Sequence, residues 1–272
     1  MPFTVHRLGI AGLIVAIVGL LVPAAAMAAD LEPGPVAISQ AERAALTAIN
    51  VKRSDAGLVT LQHDSRIAAI ARSRAESMAA TDTFSHVQPD GMSVFDLIGD
   101  SGIRWYGAGE IIAWNTAQEL PSSTSFALDG WMQSAPHKAI VLSTGYNYAA
   151  FGLAISPSTG RRYWAGVFLK GPDRTPARSR FGTISRSVLD ATFARVTVRW
   201  SGWDVRLQVL TSGLRDFQVQ KRRDGGAWLN LGVTTNTSMT RKWSRGHRYE
   251  VRVRARDRSG NWGAWEMATI RP

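Results

Sequence analysis

Cysteine is absent from all 272 residues of the chain. This absence excludes disulfides, thiolate metal sites, a catalytic cysteine and a lipidated N-terminal cysteine. The folded state must therefore be stabilised by burial of apolar side chains. A chain of this length is long enough for two domains of ordinary size, each with its own core.

The common catalytic motifs are missing as well. The sequence contains no G-x-S-x-G elbow, no P-loop, no H-E-x-x-H pair and no Rossmann fingerprint. Serine is plentiful, but nothing in its surroundings marks one serine as an activated nucleophile. We predict no catalytic residue, and the sequence favours a protein that is not an enzyme without settling the point.

An uncharged, mostly apolar run occupies residues 8–22, and after Pro23 it continues into the small residues 24–29. With His6 and Arg7 ahead of it, this pattern is typical of a secretory signal peptide, residues 1–29, cleaved after Ala28 or Ala29. The alternative is an uncleaved membrane anchor, because about 20 apolar residues can span a bilayer. We favour cleavage and a secreted, extracellular protein, and the lack of cysteine favours a bacterial exporter.

Charge is divided unevenly along the chain. Residues 30–172 carry 11 Lys and Arg against 13 Asp and Glu, a net of −2, whereas residues 173–272 carry 20 against 8, a net of +12. A field of this size favours anionic partners, such as acidic lipids or envelope polymers. An exported protein seldom meets nucleic acid, so we expect no specific nucleic-acid partner.

The first half of the chain shows helical patterns followed by a hairpin. Ser39 and Glu42 have the spacing of a capping box, which predicts a first helix starting there and ending near Gly57. Asp64 is the predicted N-cap of a second helix, and another is expected from Ser123 or Ser125 to Gln133. Two extended runs, 148–155 and 162–169, then predict a β-hairpin, and helices packed on an antiparallel sheet make an α+β structure.

The second half is predicted to be all β. A linker is expected at 172–180, between a first domain at 30–171 and a second at 181–272. Short runs alternate between apolar and polar residues, Asp224-Gly225 has the sequence of a hairpin turn, and such strands at this spacing suggest a sandwich. The segment from Tyr249 to Gly263 resembles the last two strands and connecting loop of fibronectin type III domains. Trp200 is expected in the core of this sandwich.

Four short pieces of the first domain follow one another in sequence: Phe84-Ser85-His86, Gly107-Ala108-Gly109-Glu110, the run from Trp131 to His137, and the run from Tyr163 to Phe168. In order and spacing they resemble the CAP family (cysteine-rich secretory proteins, antigen 5, pathogenesis-related 1), in its bacterial form. The resemblance implies an α-β-α sandwich whose cleft holds histidines and glutamates and binds divalent metal in some members.

The resemblance assigns the cleft to His86, Glu110 and His137. Imidazole and carboxylate suit zinc, and two His with one Glu would leave a coordination position open. The other interpretation is a hydrogen-bonded network without metal. The chain also departs from the family pattern: Ile111 replaces the usual Asn, and Ser134 and Tyr163 stand where eukaryotic members have a Glu and a His.

In the second domain, Arg252, Arg254 and Arg256 alternate along one predicted strand and present three guanidiniums, spaced for phosphates or carboxylates. Trp262 and Trp265 lie near a loop tip, where aromatic rings can stack on sugars or settle at a membrane interface. The plainer interpretation is a core for the tryptophans and a solvated strand edge for the arginines.

The favoured function is a secreted binding or signalling module. Its cleft would hold a lipid, a sterol, another small apolar ligand or a metal ion such as zinc, and its basic sandwich would attach to an anionic envelope polymer or acidic lipid surface. Two alternatives stay open. One is a hydrolase in which the His/Glu cleft holds a metal-bound water, and the other is a carbohydrate or cell-wall adhesin that binds through its second domain.

Overall fold

A computed structural model describes residues 33–272, so the predicted signal peptide lies outside the described residues. The first domain has five helices and three strands. Its helices are α1 (Pro35–Asp55), α2 (Ser65–Thr81), α3 (Val94–Asp100), α4 (Leu120–Gln133) and α5 (Ala135–Val141), and its strands are β1 (Gly107–Asn115), β2 (Tyr148–Ile155) and β3 (Arg162–Lys170).

The three strands form an antiparallel sheet in the order β1-β3-β2, with helices on both faces. One face of β2 packs Phe151 and Leu153 into a core shared with α1 and α4, around Trp131. The other face directs Ala150 into a core shared with α2 and α3. Alternate side chains of β2 therefore pack into the cores on the two faces of the sheet. The layers are α-β-α, as expected.

The N-cap predicted from the sequence is correct for α2 and wrong for α1. Asp64 caps α2, because its Oδ1 accepts a hydrogen bond from the Arg66 N–H at 3.0 Å. The predicted capping box at Ser39 and Glu42 is wrong: both residues lie inside α1, which begins at Pro35. Pro at the first helical position needs no N–H partner, so the helix can start there without a side-chain cap.

The second domain has seven strands in two antiparallel sheets. They are β4 (Arg178–Val188), β5 (Phe193–Trp203), β6 (Leu214–Arg223), β7 (Leu229–Thr234), β8 (Ser238–Ser244), β9 (Tyr249–Asp257) and β10 (Glu266–Ile270). One sheet has the order β10-β9-β6-β7 and the other β4-β5-β8. Trp200 lies in the core between them, as predicted, and the chain as a whole is α+β. The fibronectin type III resemblance stays a prediction.

The segment predicted as a linker is held by long-range hydrogen bonds. The Asn147 side chain donates to the Gly171 carbonyl at 2.8 Å and accepts from its N–H at 2.9 Å, and Asn261 donates to the Asp173 carbonyl at 3.0 Å. Strand β4 begins at Arg178, inside the 172–180 range. Because hydrogen bonds to residues far along the chain hold this segment, its own sequence shows no regular spacing of apolar residues.

The connection between β5 and β6 also joins the two domains. Leu207 is buried in the core formed by α2, α3 and the sheet of the first domain. Next to it, Gln208 Oε1 accepts from the Val59 N–H at 2.8 Å and from Arg53 at 3.3 Å. Residues Gly34–Pro272 consequently form one compact unit.

Candidate functional site

Glu110 is the centre of the predicted cleft. It lies on β1 opposite Val167 of β3, and its side chain is only 3% exposed. A carboxylate this deeply buried needs partners for both oxygens, because burying an unpaired charge is costly. The structure supplies an arginine for one oxygen and shares the other between that arginine and a histidine.

Arg74 of α2 is the first partner, and sequence reasoning missed it. Its side chain is 1% exposed, and its Nε donates to Glu110 Oε1 at 2.7 Å. Its Nη2 also donates to the carbonyls of Ser85 and His86, at 3.0 and 2.9 Å, which fixes the loop that carries His86. The signal in the sequence is position: Arg74 falls on the buried stripe of α2, between Ala71 and Met78.

His86 is the second partner. Its Nδ1 lies 2.7 Å from Glu110 Oε2, while its imidazole is 54% exposed. Because a carboxylate oxygen accepts, Nδ1 carries the proton, and a neutral ring then presents an unprotonated Nε2. The pair therefore holds one edge of an exposed imidazole in a fixed orientation.

His137 lies on α5, after Pro136, and is half-buried. Its pKa is lowered from the ordinary histidine value, first by burial and second by the charge of His86. Hydrogen bonds connect Arg74, Glu110 and His86. His137 is related to them through the effect of the His86 charge on its pKa.

We expect His137 to titrate below about 6.5 in the folded protein. Replacing His86 with Asn should raise the His137 pKa only partly, because burial is the larger cause. In the unmodified protein, folded His137 binds its proton less tightly than His137 of the unfolded chain does. Protonation of His137 should therefore reduce the stability of the folded state as pH falls through about 6.5. NMR titration of the imidazole signals measures both values, and an unchanged His137 pKa in the His86→Asn variant would contradict the proximity of the two rings.

The region does not bring three ligand atoms together for one ion. Within residues 33–272, the group with one ligand atom each inside 4.8 Å is Asp173, Asp204 and Asp257, at the junction of the domains. These carboxylates accept hydrogen bonds from nearby groups, including the N–H of Ser212 and of Gly213. Burial raises the pKa of Asp204, and the charges of Asp173 and Asp257 raise it further. Hydrogen bonds from Gly213 and Ser212 oppose this shift without cancelling it.

Direct zinc ligation by Glu110 does not fit the arrangement, because the Arg74 guanidinium holds that carboxylate. The donor chemistry fits zinc better if Glu110 orients His86 through Nδ1. A histidine that ligates a metal usually donates its other N–H to a carboxylate or carbonyl. In that arrangement His86 and His137 would hold the ion, and the ion would supply Lewis acidity to a bound water or anion.

A separate cavity of about 260 Å³ lies between α1 and α2. Its wall combines polar and apolar side chains, and none of the predicted cleft residues lines it; those that do include Ser39, Glu42, Arg43, His63, Arg72 and Phe151. His63 directly precedes Asp64, the N-cap of α2.

The basic face of the second domain is more ordered than the sequence indicates. Arg252, Arg254 and Arg256 do lie on one face of β9, but none is a free solvated side chain. Trp262 contacts Arg254 and Arg256, and Trp265 contacts Arg252 and Arg254. Because each indole already contacts two guanidiniums, stacking on a sugar ring would compete with these contacts.

Comparison with known proteins gives the family of the first domain. Residues 46–168 match the model of the Cysteine-rich secretory protein family, CAP. Two relatives come from Bacillus subtilis. YkwD is 28% identical over 48% of this chain and 49% of its own length. The membrane protein YlbC is 30% identical over 47% of this chain and 34% of its own length. The chain thus spans about half or less of the curated relatives it matches.

Two solved bacterial structures are similar to part of this chain. An extracellular protein with an SCP domain from Bacillus anthracis is 23% identical, with a TM-score of 0.42 over 51% of this chain and 44% of its own. A cysteine-rich secretory protein from Staphylococcus aureus is 20% identical, with a TM-score of 0.37, and the match covers 48% of this chain and 39% of that protein. Within residues 33–272, no helix combines the length and apolarity needed to cross a bilayer. Residues 46–168 of this chain thus match the CAP family model, and the relatives named here are bacterial proteins.

Proposed function

We propose that the chain is a secreted bacterial CAP-domain protein that acts by binding, and that its basic sandwich attaches it to anionic polymers or lipids of the cell envelope. The observation that carries the proposal is the charge division, a net of +12 on residues 173–272 against −2 on residues 30–172. Attraction between such a surface and a polyanion is long-ranged and raises the encounter rate. Export through a signal peptide at 1–29 is part of the same proposal.

The geometry around Glu110 does not suit that carboxylate as a general base. A hydrolase that used Glu110 in this way would need the carboxylate free to take a proton from water. Glu110 is instead held by Arg74 and His86, so it acts to position the exposed His86 ring. The cleft ligand, whether zinc or a small molecule, would contact His86 and His137.

The sandwich offers less support for a carbohydrate adhesin. That function would use Trp262 and Trp265 as stacking platforms, and their contacts with arginines compete with a sugar. The charge and the arginine row favour an anionic partner over a neutral sugar. Nucleic acid is not proposed as the physiological partner, because an exported protein seldom meets it.

Residues 30–272 are expected to bind anionic vesicles and acidic wall polymers, and not vesicles of neutral lipid. Affinity should fall steeply between low and moderate salt, because the Debye length shortens to about 8 Å at physiological ionic strength. Changing Arg252, Arg254 and Arg256 together to Gln should remove most of this binding. Co-sedimentation at several salt concentrations measures it.

The matched control places the same change on the first domain. Arg43, Lys52 and Lys138 are exposed there, and changing all three to Gln removes the same number of charges. This triple variant should keep its binding. Equal losses in the two triple variants, or binding that does not respond to salt, would contradict attachment through the sandwich. The whole unit is used because Leu207 and Gln208 anchor the sandwich to the CAP domain.

A further inference from the structure

Arginine and tryptophan side chains alternate in one continuous stack on the outer face of the four-stranded sheet. Each guanidinium lies 4.2–4.6 Å from the centre of the next indole ring. We call this set the Arg/Trp stack; its order is Arg222, Trp228, Arg252, Trp265, Arg254, Trp262, Arg256. Cation–π contacts on both sides restrict the inner guanidiniums, so these cations are fixed before any ligand arrives.

The ends of the stack are neutralised by carboxylates. Arg256 forms a salt bridge with Asp216 at 2.6 Å, and Arg222 pairs with the buried Glu250. Both acidic partners face their arginine across the β6–β9 pairing. Each of these carboxylates also contacts a second arginine, Arg215 at Asp216 and Arg248 at Glu250, so the end arginines are paired with a carboxylate that they share.

The middle of the stack is not neutralised. Arg252 donates Nε and Nη2 to Gln220 Oε1, at 2.9 and 2.6 Å, and Arg254 donates the same two groups to Gln218 Oε1, at 2.9 and 2.7 Å. These cross-strand partners are uncharged amides at positions equivalent to that of Asp216. Two positive charges consequently remain in the centre of the stack.

The two central guanidiniums keep one free edge each. Among residues 33–272, neither Nη1 has a hydrogen-bond acceptor, and neither atom is fully buried. Residues two apart on a strand lie about 7 Å from each other, so the free edges repeat at about that distance. Burial first, and then the charges of Arg222 and Arg254, lowers the pKa of Arg252, as expected for cations held close together.

We propose that Arg252 and Arg254 form a two-point site for phosphate groups of a linear phosphodiester polymer. The proposal rests on the function proposed above and names the chemistry of its anionic partner. Guanidinium N–H groups bind phosphate oxygens through strong charge-assisted hydrogen bonds. Two sites linked on one polymer gain avidity, so a chain of phosphates binds more tightly than a single one.

A linear polymer fits the stack better than a lipid surface does. A vesicle presents a plane of mobile charges that can rearrange beneath the protein, so it does not need two cations at a fixed spacing. The Arg/Trp stack is a narrow row whose two uncompensated cations have fixed spacing. The site therefore predicts sensitivity to individual side chains and not only to net charge.

The test replaces the neutral partners and leaves the arginines in place. Gln218→Glu and Gln220→Glu should pair with Arg254 and Arg252 as Asp216 pairs with Arg256, so the fold and the stack should be retained. Affinity for a ten-unit poly(glycerol phosphate) should fall at least about tenfold in the double variant, because both contacts to a charged group are lost. The slope of log affinity against log salt should become shallower by about 1.4, at about 0.7 for each phosphate contact.

Asn236→Asp is the matched control for Gln220→Glu, since it makes the same charge change at an exposed position of the sandwich that lies outside the stack. It should change affinity less than about threefold, the effect expected of one distant screened charge. A second pair, Arg252→Gln against the carboxylate-paired Arg256→Gln, should show the larger loss at Arg252. Thermal unfolding of every variant verifies that the fold is intact.

The outcomes separate the two proposals. If the unmodified protein binds neither the polymer nor phosphatidylglycerol vesicles, both proposals fail. If it binds the polymer and the double Glu variant binds equally well, the two-point site is wrong and envelope attachment stands. Tighter binding to the vesicles than to the polymer, or equal binding of a linear polycarboxylate of matched charge, would overturn the choice of a phosphodiester polymer.

Discussion

Replacing Arg74 with Met is expected to lower the free energy of unfolding by about 3–5 kcal/mol, because it leaves the Glu110 carboxylate buried without its cation. The Arg74 side chain is 1% exposed and that of Glu110 is 3% exposed, so water cannot replace the lost partner without rearrangement. The variant also loses the hydrogen bonds that Arg74 donates to the Ser85 and His86 carbonyls. Urea denaturation of residues 30–272, followed by tryptophan fluorescence, measures the change.

Three further variants identify the cause. Glu110→Gln alone should also destabilise, since Arg74 then keeps a buried charge without a counter-ion. The double variant Arg74→Met/Glu110→Gln should be less destabilised than the sum of the single variants, because both charges are removed together. Arg66→Met on the same helix removes an exposed guanidinium from Asp64, which keeps Arg174 as a partner, and should cost less than about 1 kcal/mol. Strict additivity of the single changes would show that the pair is not coupled.

The elements that sequence predicted correctly are those whose pattern is local. Asp64 caps α2 through a hydrogen bond two residues away, and the apolar stripe of α2 repeats within one helix. The hairpin of β2 and β3 and the alternation of β9 have periods that span only a few residues. In each case the residues that define the element also form most of its contacts.

The capping box at Ser39 and Glu42 shows where local spacing misleads. The Glu42 carboxylate pairs with Arg72 of α2 and accepts a hydrogen bond from the Leu153 N–H of β2 at 3.2 Å. Glu42 therefore connects α1 to α2 and to the sheet. No short pattern distinguishes that function from a helix cap. The buried Arg74 escaped prediction for a related reason, since its partner Glu110 is 36 residues away.

The Arg/Trp stack itself was not predicted from the sequence. The alternation of β9 indicates that Arg252, Arg254 and Arg256 share a face, and Trp262 and Trp265 follow closely in sequence. Trp228 and the Gln partners come from the β6–β7 region, and only the register of the sheet brings them to the same row. Sequence therefore identified the cations, while the structure shows which of them are compensated.

Arg53 is expected to control the stability of both domains at once. Its side chain is completely buried and has no carboxylate partner among residues 33–272, and it donates to the carbonyls of Val59, Val141 and Ser143 at 2.7–3.0 Å. It also donates to Gln208 Oε1 of the second domain at 3.3 Å. Burial lowers the pKa of Arg53, and this desolvation cost is offset by the four acceptors around the guanidinium.

Arg53→Met should therefore reduce the free energy of unfolding by about 4 kcal/mol or more, because several hydrogen bonds from a charged donor are lost and buried carbonyls are left unpaired. Since Gln208 and Leu207 connect the sandwich to the CAP domain, the fluorescence of tryptophans in both domains should report one transition, shifted together. Lys52→Met, one residue earlier and exposed, is the matched control and should stay within about 0.5 kcal/mol of the unmodified protein. A loss below about 1 kcal/mol at Arg53, or two transitions in the unmodified protein, would show that the domains unfold separately and that Arg53 does not hold them together.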